Sequence, residues 1–321
     1  MSSRNTNKLL KNQWERGNFA CVELNPVWDQ MPDCVKDTRH FLRPEVIDTS
    51  ITGIAAVQIR FCMGIVAKTG NTNCAYRLKA ETFRLSGGEG RYALSEIIRN
   101  IHFIAPEALV LYDARYDQTS AVDTEYIHDA FDVLGVDMVV INPVLDEKIL
   151  RLLSLQKGKG VVVQCHNVVK GSEKFVMPQV GISLEEVAVL RTACATYSHA
   201  VDDATKNCST SVTNHLACRI ARDWNMEGDC VVALDTKFPH ELRQIRGILG
   251  DVPVLSFGTC AQDSDLEQTI NAAKDSHGQG VIVNLPSGLV FSSPEDDYAK
   301  VAGKIATDLS AKIRKCCGAE S

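Results

Sequence analysis

At Leu111-Tyr112-Asp113-Ala114-Arg115-Tyr116-Asp117-Gln118-Thr119 an apolar run gives way to a dense set of polar and charged residues. Lys79 ends another apolar run in the same way. Asp113, Arg115, Asp117 and Lys79 together supply both carboxylates and cations, the residue types that move a proton beside developing charge. The same four residues also suit a salt-bridged cluster at the mouth of a barrel, where the charges stay paired and hydrated. His166 follows a third run; it reads either as a general base or as a structural histidine, and no partner for it is evident. Gly87, Gly88 and Gly90 have no Lys-Ser/Thr after them, so they are expected in a strand-to-helix turn and not in a phosphate loop. Cys194, Cys208 and Cys218, with His199 and His215 between and beside them, lack paired chelate spacing and read as helix packing. No metal and no cofactor is expected.

These side chains need rigid elements behind them. Short apolar runs, most of them β-branched and apolar on both faces, recur at 19–25, 74–79, 108–113, 137–142, 160–166, 230–235, 252–258 and 280–284. That is the pattern of parallel strands covered by helices. Helical stripes separate them. Leu94, Ile97, Ile98 and Ile101 form one, Tyr126, Ala130, Phe131 and Leu134 a second, and Ala302, Ile305, Leu309 and Ile313 a third. A helix from Phe238 to Leu249 opens with Pro239 and stops before Gly250. Eight such units predict a single (β/α)8 TIM barrel over residues 19–314, with an N-terminal arm or first helix at 1–18 and a tail at 315–321. The segments 31–73 and 170–228 are too long for simple crossovers and should hold extra helices. In such barrels chemistry sits at the C-terminal ends of the strands, which selects Asn25, Lys79, Asp113, Arg115, Asn142, His166 and Asp235, and the loops after Gly258 and Asn284.

The net charge of −6 argues against general nucleic-acid binding and against an anionic membrane surface. No uncharged apolar stretch is long enough to span a membrane. The 12 cysteines include no Cys-x-x-Cys pair, which fits reduced thiols in an intracellular, cytoplasmic protein. Arg4, Lys8, Lys11 and Arg16 against the single acid Glu15 keep a mitochondrial presequence open.

The ordered motifs resemble the bacterial and protist branch of the orotidine 5′-monophosphate decarboxylase family. Cys21-Val22-Glu23-Leu24-Asn25-Pro26 is similar to the family's Cys-Val-Gly-Leu-Asp-Pro, and Gly135 to Pro143 to its Gly-Ala-Asp-x-Val-Thr-Val-Asn-Pro. The segment from Pro239 to Arg246 resembles Pro-x-Glu-Leu-x-x-Ile-Arg. Leu255 to Gln262 resembles Leu-Val-Pro-Gly-Ile-Gly-Ala-Gln, and Val283 to Gly288 resembles Val-Asn-Val-Ser-Arg-Gly. The segment from Asp113 to Gln118 resembles the strand-3 motif Asp-x-Lys-x-x-Asp.

The resemblance implies a barrel that removes carbon dioxide from orotidine monophosphate without metal or cofactor. A lysine supplies the incoming proton, and flanking aspartates include one from across a dimer interface. Here Arg115 stands for that lysine and Gln118 for the intersubunit aspartate, with Asp117 one position away, while Asp113 and Lys79 match. A guanidinium holds its proton at any relevant pH, so Arg115 is a poor donor. Asn25 replaces the ribose-contacting aspartate, Ser287 the phosphate-binding arginine, and Asp263 follows the retained Gln262. These departures predict a pseudoenzyme kept as a structural or protein-interaction module. Its partners would be other proteins or a second copy across the barrel mouth, and nucleotide binding would be weak or absent. The alternatives are a diverged but active decarboxylase of pyrimidine synthesis and a small-ligand sensor in the old pocket.

Overall fold

The computed structural model describes residues 4–37, 53–114, 123–141, 152–153, 155–165, 179–185, 187–188, 209–225, 229–235, 239–257 and 263–319. The strands are β1 (Ala20–Leu24), β2 (Asn73–Lys79), β3 (Leu109–Asp113), β4 (Met138–Ile141), β5 (Gly160–Gln164), β6 (Gln179–Gly181), β7 (Ser209–Ser211), β8 (Cys230–Asp235), β9 (Val254–Phe257) and β10 (Val281–Asn284). Eight close into a barrel in the order β1-β10-β9-β8-β5-β4-β3-β2, every neighbouring pair parallel. Each matches one of the eight predicted runs. β6 and β7 form a separate antiparallel pair inside the long 170–228 crossover, which the sequence reading did not foresee.

The described helices are α1 (Thr6–Glu15), α2 (Asp33–Lys36), α3 (Gly53–Thr69), α4 (Ala80–Arg84), α5 (Gly87–Ile104), α6 (Asp123–His128), α7 (Val212–Arg219), α8 (Pro239–Leu249), α9 (Asp263–Ala273) and α10 (Tyr298–Cys316). Their apolar stripes face the strands: Leu94, Ile97, Ile98 and Ile101 of α5 and Ala302, Ala306 and Ile313 of α10 are buried. Glycine 87, 88 and 90 lie in the first turn of α5 and not in a turn before it. The reason is steric. A methyl group at Gly90 would run into the Phe83 carbonyl of α4, so only glycine lets the two helices follow each other this closely. At the α3–α10 crossing a methyl at Gly303 would fall 2.7 Å from Lys68 Cβ.

Residues 4–18 close the floor of the barrel, where the strands begin. The indole of buried Trp14 donates to the Val281 carbonyl at 2.9 Å. Arg4 forks onto the fully buried Asp137 at 2.7 and 2.9 Å and also donates to the Ala108 carbonyl at 2.7 Å. Asp137 accepts further from the Val110 amide at 2.9 Å and lies 3.3 Å from His102 Nε2. At the other end of the chain, α10 runs through Cys316 and Cys317 is buried against the core. Among the described residues no helix is long and apolar enough to cross a membrane.

Candidate functional site at the barrel mouth

Side chains two apart on a strand share a face. In β1 this alternation sends Cys21, Glu23 and then Asn25 to the interior, and in β2 it sends Ala75, Arg77 and Lys79 there. Parallel pairing sets Glu23 beside Arg77 and Lys79 beside Asp113. The ion pairs run across this register. Lys79 Nζ lies 2.7 Å from Glu23 Oε1, Arg77 Nη1 donates to Glu23 Oε2 at 2.9 Å, and Arg77 Nη2 donates to Asp113 Oδ2. The result is an alternating chain of charges, Lys79–Glu23–Arg77–Asp113. It has two cations and two anions and therefore no net charge.

Glu23, Arg77 and Asp113 are each no more than 4% exposed. Lys79 reaches the mouth and keeps about a quarter of its side chain in solvent (24%). The Arg77 guanidinium also lies over the Phe257 ring, 4.3 Å from its centre, so β9 covers the array from the far wall. Opposite charges in contact at this depth attract far more strongly than on the surface, and that attraction offsets their loss of water. Beneath the array, burial pushes the Cys21 thiol up to about 12, Arg77 opposing and Glu23 adding to the rise. Cys21 is therefore a neutral thiol at physiological pH and no nucleophile.

The structure brings together Lys79 and Asp113 of the predicted site residues. Asn25 follows β1, with its Oδ1 buried and without a hydrogen-bond partner. Ser287 opens a 3-10 turn after β10 and is exposed. Arg115, Asp117, Gln118 and Gln262 lie outside the described residues, as does His166. Glu23 and Arg77 are the interior residues that sequence reading missed. The signal was present, since each is a charge two positions from a selected strand-end residue in a run otherwise apolar. Among the described residues no group of three or more His, Cys, Asp or Glu side chains could hold a metal ion.

A second motif residue has a different task. Arg246, buried near the end of α8, donates to the carbonyls of Ala273 (2.6 Å), Val252 (2.7 Å), Gly250 (2.8 Å) and Gly280 (2.9 Å). It fastens the end of α9 and the entries to β9 and β10, far from the mouth.

No protein-family model matches the chain. The orotidine 5′-phosphate decarboxylase of Ralstonia pickettii is 25% identical over 296 residues, which cover 91% of this chain and 92% of that protein. That of Cupriavidus metallidurans is 25% identical over 309 residues, 95% and 96% of the two chains. The solved structure of Leishmania donovani OMP decarboxylase superposes with a TM-score of 0.69 at 21% identity, covering 97% of this chain and 99% of its own.

Proposed function

We propose, because this chain belongs to the orotidine 5′-phosphate decarboxylase family, that it is a pseudoenzyme of that family, retained as a structural or protein-interaction module. One observation carries the reading: both retained charges of the family site are tied up by partners within the chain. Asp113 is bound to Arg77 and Lys79 to Glu23, in an array buried apart from its Lys79 end. A decarboxylase of this kind must hand a proton to a developing carbanion. Arg115 in the lysine position keeps its proton, and Gln118 in the aspartate position has no charge. Exposed Ser287 offers no guanidinium to a phosphate. Losing one charge-assisted contact of that kind weakens binding by about 1.5–3 kcal/mol.

The purified chain should release no carbon dioxide from orotidine monophosphate above background in a steady-state assay. Turnover that disappears in Asp113→Asn would overturn the pseudoenzyme reading. Uridine monophosphate should give no calorimetric signal of micromolar strength, about −8 kcal/mol. Native pull-down should recover a protein partner, and surface substitutions should release it while Asn25→Ala and Gln262→Ala leave it bound. The active-enzyme reading has one observation in its favour. Lys79 is an ammonium group at the mouth, held by a carboxylate and partly open to solvent. If turnover is found, its loss in Lys79→Ala would identify that residue as the donor.

A further inference from the structure

We infer that Glu23 is a built-in ligand: its carboxylate fills a carboxylate-binding fork made by Lys79 and Arg77, and so closes the barrel interior to carboxylate ligands from solution. The inference rests on the family reading of the pocket and adds what occupies it. Three observations on different links of the chain meet here.

The first is positional. Cys21-Val22-Glu23-Leu24-Asn25-Pro26 resembles a motif with glycine in the third place, so Glu23 adds a side chain where the pattern leaves open space. The second is geometric. Its two oxygens are divided between two cations, Oε1 at 2.7 Å from Lys79 Nζ and Oε2 at 2.9 Å from Arg77 Nη1. This is how two cationic side chains share a bound carboxylate. The third is burial. Glu23 is 4% exposed, Asp113 binds the other arm of the Arg77 guanidinium and Phe257 lies against it, so the position between the two cations is held by the Glu23 carboxylate. A substrate whose reacting group is a carboxylate would meet a fork already taken by one that cannot dissociate.

Shortening Glu23 to glycine should leave a carboxylate-sized vacancy between Lys79 and Arg77 with one positive charge in excess, since Asp113 still pairs with Arg77. Melting of Glu23→Gly, Glu23→Gln and the unaltered chain is then followed in sodium chloride and in sodium formate or acetate of equal ionic strength. Glu23→Gly should melt below the unaltered chain in chloride. Formate or acetate should recover most of that loss and saturate in the millimolar range. The unaltered chain and Glu23→Gln, which keeps the bulk, should not respond. A folded Glu23→Gly that treats formate and chloride alike overturns the inference, and so does an equal response from the unaltered chain. A Glu23→Gly that aggregates in both salts while Glu23→Gln folds overturns it too, because the vacancy then accepts no carboxylate. Turnover of orotidine monophosphate by the unaltered chain would sink the pseudoenzyme reading without touching this melting comparison, so the two failures are distinguishable.

Discussion

Arg77 is the hub of the mouth. Its guanidinium bridges two carboxylates from neighbouring strands and stacks on Phe257. An arginine suits this place because its planar fork presents donors in two directions, which a lysine cannot do. Removing it leaves two buried carboxylates, Glu23 and Asp113, with Lys79 alone from the array to compensate them. Breaking a buried ion set by deleting one partner costs about 3–5 kcal/mol. Arg77→Ala should therefore lose about that much stability in urea unfolding, with little change in the slope of the transition. Replacing all three with neutral residues of similar volume, Arg77→Met with Glu23→Gln and Asp113→Asn, should recover most of it, since desolvated ion pairs contribute little net stability. If the triple variant is no more stable than Arg77→Ala, the array is held by something other than compensation of charge.

At the scale of elements, the eight barrel strands are legible in the sequence because each is a short, largely apolar run buried on both faces and most are rich in β-branched residues, as in Val161, Val162 and Val163 of β5. β6 and β7 are not legible. Gln179-Val180-Gly181 and Ser209-Thr210-Ser211 carry no apolar run, and the pairing joins segments far apart in the chain. Of the site, Asp113 and Lys79 are found by the strand-end rule, whereas Glu23 and Arg77 lie one step deeper and need the two-residue alternation as well. Motif resemblance singles out Arg246 but does not say what it does; four carbonyl contacts from distant segments appear only once the chain is folded. Its substitution should accordingly act on stability alone. A lysine has three donors and no fork, so Arg246→Lys strands at least one buried carbonyl, a penalty of about 1–3 kcal/mol. Chemical denaturation should show that loss, and the circular dichroism of the folded state should be unchanged. A variant as stable as the parent would mean that water replaces the guanidinium in this cluster.

At the scale of the whole molecule, the barrel is closed at both ends by charge buried differently. The mouth carries the neutral array, and the floor carries Asp137 between Arg4 and His102, with the helix α1 laid across it. Burial alone would raise the Asp137 carboxyl, but the hydrogen bonds from His102 and Arg4 outweigh it and hold the group below the ordinary range. A carboxylate depressed in the folded state adds stability that is present above its unfolded value, near 3.9, and is lost as pH falls through the lower folded value. The contribution of Asp137 should thus be constant around neutrality and be lost only in strong acid. Asp137→Asn should lower stability at neutral pH and flatten the acid limb of the stability curve. Trp14→Ala should instead cost about 3–5 kcal/mol at every pH, because it empties a buried aromatic site without touching a charge. Melting temperature measured from neutral to acid pH separates the two. Curves that run parallel to the parent for both variants would show that Asp137 does not govern the acid limb. A Trp14→Ala chain that melts with the parent would show that α1 lies on the floor without holding it shut.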